Sequence, residues 1–252
     1  MNNEKFKEFF YSLPRIIVVN LYNLIIRLKV FNYSRIPVNE QVIFAINHVT
    51  GADPIILMAA LRKKIVFFAI SKDFKTKFTN FFFRKIGNAV PIFQENFFKN
   101  FGSFKELINF KHKKNVNFAI FPEGKLNKTD VYDDFKKGAA YFAYKTKLKV
   151  VPVYMQGIKG VKAGTKLERN EVTEGVIALV FNLFRKINVF IGNPIDPIAE
   201  NIIKDFNDIS DKNNYKNIVD KIHEELQENF LQLQKEAYEI LLDDPNKTTK
   251  PT

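Results

Sequence analysis

The 252-residue chain has no cysteine and no tryptophan, and it has only three histidines. The lack of cysteine excludes disulfides, thiolate metal sites and a cysteine nucleophile. The histidines, His48, His112 and His223, lie far apart in the sequence, and none has a spacing typical of a zinc site. A Gly-x-Ser-x-Gly turn, which would present a serine nucleophile, is also absent. We therefore predict no metal site and no covalent intermediate on a cysteine or on such a serine.

Acidic residues are scarce compared with basic ones, 27 against 39, which gives a net charge of +12 and a pI near 9.6. This excess indicates an anionic partner, which could be a nucleic acid, an acidic protein or an anionic membrane surface. Lysine dominates the excess and occurs with abundant Asn, Ile and Phe, a bias that a nucleotide-skewed genome explains equally well. No arginine-rich run or RNP-like aromatic motif occurs, so we predict no nucleic-acid partner.

The amino-terminal region lacks a hydrophobic run long enough to span a bilayer. Its longest uncharged stretch, residues 16–26, is well short of the roughly 20 residues that a spanning helix needs. Arg15, Arg27 and Lys29 flank this stretch, an arrangement typical of a helix that lies in the membrane interface. We predict an apolar, membrane-associating helical segment over residues 1–35. A helix that packs on the domain core instead remains the alternative.

From residue 42 onward, short runs of Val, Ile and Phe alternate with segments of helical periodicity. Such runs are typical of parallel strands buried on both faces, so we predict a single α/β domain with a largely parallel sheet flanked by helices. We predict that residues 36–200 form this domain, that residues 201–242 extend it with a carboxyl-terminal amphipathic helix, and that residues 243–252 form a disordered tail. Residues 157–174 are predicted to form a long polar loop. The predicted strands are residues 42–46, 65–70, 89–93, 116–121, 150–155 and 187–191, and the predicted helices are residues 55–61, 79–86, 97–111, 135–145 and 215–242.

The first predicted strand of this domain ends in Asn47-His48, and Asp53-Pro54 follows five residues after the histidine. Five positions along one helix would put the two side chains on different faces, so His48 and Asp53 meet only if one of them lies on the preceding loop. A histidine and a carboxylate on such a loop are a candidate base and its partner. Equally, Asp53 with Pro54 is a favourable N-cap and first helical residue, which would leave Asp53 a purely structural role.

A second strand, residues 116–121, ends in a comparable cluster. Phe121, Pro122, Glu123, Gly124 and Lys125 follow one another there, and the proline marks the end of the strand while the glycine allows close approach of a ligand. Further on, residues 135–140 read Phe-Lys-Lys-Gly-Ala-Ala and open a helix with cations, which include Lys137 just before Gly138. Sites in parallel sheets collect at the carboxyl ends of strands, so we expect these clusters to meet.

Five such motifs, in this order, make the sequence resemble the glycerolipid acyltransferase family, whose best-known members are the lysophosphatidic acid acyltransferases. The similarity covers residues 36–195 approximately and depends on the order of the motifs more than on any one of them. The five motifs are Asn47-His48 with Asp53-Pro54, Phe121-Pro122-Glu123-Gly124, Phe135-Lys136-Lys137-Gly138-Ala139, Val151-Pro152-Val153 and Ile191-Gly192-Asn193-Pro194-Ile195.

The resemblance implies transfer of a fatty acyl group from acyl-CoA or acyl-ACP to a hydroxyl of a lysolipid acceptor. His48 would then be the general base, oriented by Asp53, and no acyl-enzyme or cofactor would be needed. Amide groups near Gly51 and at the start of the following helix are expected to hold the developing oxyanion. Glu123 and Gly124 would bind the acceptor. The other expected substrate-binding residues are Gln94, Phe121, Pro122, Lys125, Lys137 and Gly138. The resemblance also places the protein on the cytoplasmic face of a membrane, as a peripheral or monotopic protein.

Two positions depart from the family's pattern. Phosphate-using members commonly carry arginine where this chain has Gln94, and Thr-Arg-Ser where this chain has Lys125-Leu126-Asn127. An arginine fork binds phosphate with two hydrogen bonds, and neither Gln nor Leu replaces it. The acceptor prediction therefore leaves two alternatives open: an acceptor without phosphate, and a non-catalytic lipid-binding or scaffold protein that retains the fold.

Overall fold

The computed structural model of the protein describes residues 3–70, 75–92, 116–127, 135–160, 171–199, 202 and 214–242. The predicted helix at 97–111, the predicted tail at 243–252 and the candidate residue Gln94 lie outside these residues.

In the described part of the chain, seven strands form one sheet in the order β1-β7-β6-β2-β5-β3-β4. Neighbouring strands run parallel except for β6 and β7, so β1 and β7 point opposite to the other five. The predicted fold class, an α/β domain with a largely parallel sheet, is confirmed. The strands are β1 (Arg27–Phe31), β2 (Val42–Ile46), β3 (Ile65–Ile70), β4 (Ala89–Ile92), β5 (Asn117–Ile120), β6 (Lys149–Gln156) and β7 (Lys186–Ile191).

Helices cover both faces of the sheet, which explains why its strands are continuous apolar runs. Residues of β2 alternate between two core clusters, with Ile43 and Ala45 on one face and Val42, Phe44 and Ile46 on the other. The described helices are α1 (Asn3–Ile25), α2 (Asp53–Leu61), α3 (Lys77–Phe81), which continues as π-helix over Phe82–Ile86, α4 (Gly138–Thr146), α5 (Glu171–Asn182) and α6 (Asn214–Leu242).

The amino-terminal region differs from the prediction of one helical segment over residues 1–35. Helix α1 ends at Ile25, and Arg27–Phe31 is an edge strand paired with β7. Its side chains alternate between exposed and partly buried, with Arg27 and Lys29 exposed. This short edge strand carries charged residues on its solvent-exposed face, so its sequence is not the continuous apolar run that the central strands have.

Helix α5 begins at Glu171, inside the predicted polar loop at residues 157–174, and the sequence prediction missed it. Its sequence opens with Glu, Thr and Gly and becomes apolar only in its second half, so its start has no clear helix signal. The carboxyl-terminal helix, in contrast, agrees with the prediction, because Ile218, Ile222, Leu226 and Phe230 of α6 are buried against the sheet and α4. The domain boundaries remain predictions.

Candidate active site

The carboxyl ends of β2, β5 and β6 meet at one edge of the sheet, and the residues after β2 form the centre of the candidate site. Asn47 fixes the start of this loop through two hydrogen bonds with Met155 of β6: its side-chain amide donates to the Met155 carbonyl at 3.0 Å, and its oxygen accepts from the Met155 amide at 2.8 Å. His48 is thereby held at the end of a buried strand, facing the space above the sheet.

His48 and Asp53 are in direct contact. Nδ1 of His48 lies 2.9 Å from Oδ2 of Asp53, and the aspartate side chain is fully buried while 19% of the histidine side chain is exposed. The same oxygen accepts from the amides of Val49 at 2.7 Å and Thr50 at 3.0 Å. The alternative in which Asp53 is an N-cap is wrong, because Ala52 occupies the N-cap position and the carboxylate binds amides that precede the helix.

Burial raises the pKa of the Asp53 carboxyl above its usual value, and contacts with three residues oppose that rise. They are the hydrogen bond and the charge of His48 and the amides of Thr50 and Val49. Desolvation disfavours the carboxylate, whereas each donor favours it. The loop amides thus favour the charged form of Asp53, the form that stabilises a positively charged imidazole.

The second motif contacts the first one directly. The ring of Phe121 stacks on the His48 ring with centroids 3.9 Å apart, and Oε1 of Glu123 accepts from the His48 amide at 2.9 Å. The Asn127 amide donates to the His48 carbonyl at 2.6 Å. Glu123 is buried and is not among the residues that line the adjacent cavity. The structure therefore gives Glu123 a contact that positions His48, and its expected contact with the acceptor stays a prediction.

Glu174 is a site residue that the sequence reasoning missed. This carboxylate of α5 is almost fully buried, and its Oε2 accepts from the Thr50 hydroxyl at 3.0 Å and the Gly51 amide at 2.7 Å. Gly175 makes this approach possible, because a Cβ there would lie 3.0 Å from the backbone of Gly51. The signal in the sequence was an acid directly before the apolar part of the helix, residues 175–181.

The same contacts correct the expected oxyanion site. The Gly51 amide donates to Glu174, and the amides of Val49 and Thr50 donate to Asp53. All three amides are therefore engaged within the protein, and the structure contradicts their use in binding an oxyanion.

A cavity of about 590 Å³ opens beside His48. One side is apolar and lies between α2, β3, β4 and the π-helical turn, and the other side carries lysines from the β5 loop, the start of α4 and the start of α6. The apolar side includes Ile55, Phe67, Ala69, Phe83 and Ala89. The second side includes Lys125, Lys136, Lys137, Tyr141, Tyr215, Lys216 and Asp220. Phe68 also belongs to the second side, because it points to the opposite face of β3 from Phe67 and packs against Phe142 of α4.

Most of the predicted substrate-binding residues line this one cavity together with His48: they are Phe121, Pro122, Gly124, Lys125, Lys137 and Gly138.

Lys137 pairs with Asp220 of α6 at 2.7 Å. Gly124 has a positive φ of 66°, a backbone conformation that favours glycine, and the end of the flexible Lys136 side chain lies beside it. Within the described ranges, no three or more His, Asp or Glu side chains are grouped so that they could hold a metal ion.

A family model described as Acyltransferase matches residues 27–156, more than half of the chain. The chain belongs to the acyltransferase family. The resemblance inferred from the motifs is thereby confirmed, and so is the expectation of an O-acyltransferase, at the level of the family. The matched region contains β1 through β6 and hence His48, Asp53 and residues 121–125, the centre of the site.

Relatives of this acyltransferase-family chain include two proteins named 1-acyl-sn-glycerol-3-phosphate acyltransferase. The protein from Streptococcus pneumoniae is 28% identical over 180 residues, which are 69% of this chain and 66% of the relative. The protein from Cocos nucifera is 42% identical over 55 residues, 22% of this chain and 18% of the relative. The matched part of the chain thus spans just under two thirds of the length of the first relative and less than a fifth of the second.

A solved structure supports the same fold. The crystal structure of the 1-acyl-sn-glycerophosphate (LPA) acyltransferase PlsC from Thermotoga maritima superposes with a TM-score of 0.56 at 20% identity, and the match covers 92% of this chain and 83% of the other. At this identity the likeness establishes the acyltransferase fold and leaves the substrates to be argued from the site.

Proposed function

We propose that the protein transfers a fatty acyl group from acyl-CoA or acyl-ACP to a hydroxyl of a lysophospholipid such as lysophosphatidic acid. The observation that carries the proposal is the contact between His48 and the buried Asp53 beside a cavity with one apolar and one lysine-lined side. Membership of the acyltransferase family and the names of two relatives support the class of reaction.

In this proposal, His48 acts as the general base. Asp53 binds Nδ1, which leaves Nε2 as the ring nitrogen for the acceptor hydroxyl. As the hydroxyl oxygen attacks the thioester carbonyl, its proton moves to Nε2, and the carboxylate stabilises the resulting imidazolium. The C–S bond then breaks and the leaving thiolate takes up that proton, so the ester forms and the enzyme returns to its starting state.

The two sides of the cavity fit the two parts of the reactants. The apolar side, with Ile55, Phe67 and Phe83, suits a fatty acyl chain, because burial of each methylene contributes about 0.8 kcal/mol. The lysine side suits a phosphate of the acceptor or of the donor. Lys125 and Lys136 supply point charges there in place of the arginines that phosphate-using relatives carry.

We also propose that the protein works on the cytoplasmic face of a membrane. Helix α1 presents Ile16, Ile17, Leu21 and Leu24 to solvent, while Tyr22 faces the core. Such a face suits a helix lying in the interface. No helix in the described part of the chain has the length and apolar character to cross a bilayer.

Removal of the base tests the reaction. His48→Ala should lower acyl transfer about 100-fold or more, since general-base catalysis typically supplies 10²- to 10⁴-fold. Asp53→Asn keeps an oxygen for Nδ1 and removes the charge, so it should lower kcat by a similar factor while the protein stays folded. Initial rates with a radiolabelled acyl thioester, together with circular dichroism, give both readouts.

Glu40→Gln is the matched control for Asp53→Asn. It makes the same chemical change at an exposed position before β2, on the opposite edge of the sheet, and should leave the rate unchanged. Turnover of folded His48→Ala at the wild-type rate would eliminate the assigned role of His48.

A panel of acceptors tests the substrate. Purified protein with one labelled acyl donor is offered lysophosphatidic acid, lysophosphatidylcholine, glycerol 3-phosphate and monoacylglycerol. We expect the highest rate with lysophosphatidic acid. A preference for monoacylglycerol would favour an acceptor without phosphate, and transfer to none of them would favour a lipid-binding or scaffold role.

A further inference from the structure

The corner between α5 and β7 carries an exposed apolar surface. Val176, Val180 and Phe181 of α5 are each about half exposed, and Phe184, in the turn that follows, is 86% exposed. The first two are four residues apart and so lie on one line along the helix. Large apolar patches exposed on a folded protein mark interaction sites, so this surface is a candidate for one.

This corner is firmly held, so its apolar side chains are presented in a fixed arrangement. The buried Asn182 accepts from the Lys159 amide at 2.9 Å and donates to the Lys159 carbonyl at 3.0 Å. Arg185 donates to the Gly157 carbonyl at 2.8 Å. A Cβ at Gly157 would clash with the Lys186 carbonyl, so the loop and the strand touch there.

Strand register places the corner at the same edge of the sheet as His48. Strand β6 runs parallel to β2 and carries Val153 beside Ile46, the last residue of β2. Gln156, three residues further along β6, therefore lies toward the edge of the sheet where the His48 loop lies. Strand β7 runs antiparallel to β6, with Asn188 beside Gln156, and therefore begins at that edge. The corner and the His48 loop thus lie at one end of the molecule.

The apolar surface of the corner adjoins that of α1. The Tyr22 hydroxyl donates to the Leu179 carbonyl at 3.4 Å, which puts α1 and α5 side by side. At its end, α1 exposes Leu24 and Ile25, immediately before β1.

Cations surround this surface. Arg27 of β1 is the register partner of Lys186 of β7, and both are exposed, as is Arg185. Neither residues 9–39 nor residues 175–195 contain any Asp or Glu. Exposed Phe and Leu side chains beside cations, on two sequence segments without Asp or Glu, match the chemistry of an anionic lipid surface, where each Lys or Arg near the surface contributes about 1 kcal/mol.

We propose that the corner formed by Val176, Val180, Phe181, Phe184, Arg185 and Lys186 docks on an anionic lipid bilayer beside α1. Phe181 and Phe184 enter the interface, and Arg185, Lys186 and Arg27 face the headgroups. The candidate site then opens at the docked end of the molecule, close to the membrane that supplies the acceptor. The proposal extends the proposed function but concerns binding, which is measured without acyl transfer.

Vesicle binding by the full-length protein tests this proposal. Wild-type protein is sedimented with vesicles of equal parts phosphatidylglycerol and phosphatidylcholine, and with phosphatidylcholine alone. Phe181→Ser with Phe184→Ser should weaken binding to the anionic vesicles about tenfold or more, because two aromatic side chains no longer enter the interface. Arg185→Gln with Lys186→Gln should weaken binding to anionic vesicles by a similar factor and leave the weak binding to neutral vesicles unchanged.

Val38→Ser is the matched control. Val38 is 79% exposed and lies before β2, at the opposite edge of the sheet, so its substitution should not change vesicle binding. Wild-type binding by the Phe181→Ser, Phe184→Ser variant would overturn the proposal. So would a dimer in size-exclusion chromatography that this variant converts to a monomer, because the corner would then contact a second copy of the chain.

The outcomes for the two proposals are separable. If the protein binds vesicles through the corner but transfers no acyl group, the proposed function is ruled out and the proposed docking surface is supported. Acyl transfer to a short-chain, water-soluble acceptor should proceed at the wild-type rate in the Phe181→Ser, Phe184→Ser variant, because neither residue lines the cavity.

Discussion

At the residue scale, three carboxylates hold the loop that carries His48, and each of them does so from a different part of the chain. Asp53 binds the ring and two amides, Glu123 binds the His48 amide, and Glu174 binds Thr50 and Gly51. Buried carboxylates are costly unless hydrogen bonds satisfy them. Their concentration around one loop indicates that the position of His48 is tightly determined.

Glu174 provides a test of this positioning role. Glu174→Ala leaves the Gly51 amide and the Thr50 hydroxyl without their acceptor, which costs about 1–3 kcal/mol for a buried polar group and loosens the loop. We expect kcat to fall about tenfold with little change in KM, since the residue does not line the cavity. Steady-state kinetics at a temperature where the variant is fully folded measures both constants.

Glu174→Gln is the conservative comparison, because its amide oxygen can still accept from the Gly51 amide. It should recover most of the kcat that Glu174→Ala loses. Equal kcat values in the two variants, or a loss that appears in KM alone, would contradict a positioning role.

At the element scale, the apolar side of the cavity is formed by β3, β4, α2 and the π-helical turn at Phe82–Ile86. Ala69 of β3 lines it together with Phe67 and Phe83. Small residues on this side keep space open between larger aromatic ones. If the acyl chain occupies this space, as proposed, its depth determines the length of chain that the protein accepts.

Ala69→Leu should therefore shift the preference toward shorter donors. Three added carbons fill part of the apolar side, so the ratio of kcat/KM for a 16-carbon donor to that for an 8-carbon donor should fall about tenfold. Rates with a series of acyl thioesters measure this ratio. Ala199→Leu adds the same side chain outside the cavity lining and should leave the ratio unchanged. An unchanged ratio in Ala69→Leu would place the acyl chain elsewhere.

At the scale of the whole molecule, hydrogen bonds of Arg35 connect the amino-terminal elements to the carboxyl-terminal helix. Its guanidinium donates to both oxygens of Glu236 at 3.0 and 3.1 Å, and to the Ile191 carbonyl at 3.0 Å. Asn32 donates to the same carboxylate at 2.9 Å. The connection spans about 200 residues of sequence and joins α6 to the segment that follows β1.

Arg35→Lys should lower the free energy of unfolding by about 1 kcal/mol, because a lysine keeps the charge and loses the paired geometry. Urea denaturation followed by circular dichroism measures the change. Lys149→Arg is the reciprocal control in the more exposed pair of Lys149 and Glu40, where we expect a change near zero. Equal effects of the two substitutions would mean that the fork geometry of Arg35 contributes nothing to stability.

The sequence by itself determined the fold class, the family and the motifs that form the site, although it did not reveal Glu174. Continuous apolar runs such as residues 42–46 and 65–70 coincide with β2 and β3 because strands buried on both faces must be apolar at every position. The motifs around His48 and Phe121 were found because each follows directly after such a strand. The edge strand β1 and helix α5 were missed, since their local patterns are mixed and their neighbours in the sheet and core decide their conformation.

Only the tertiary structure decided what each polar residue of the site does. It made Asp53 the partner of the imidazole instead of a cap, gave Glu123 a contact with the His48 amide 75 residues away, and brought Glu174 to Gly51 across 123 residues. It also placed the apolar corner at Phe184 on the same edge of the sheet as His48. Such contacts join residues far apart in the chain, so they depend on how strands align, which no local pattern of residues encodes.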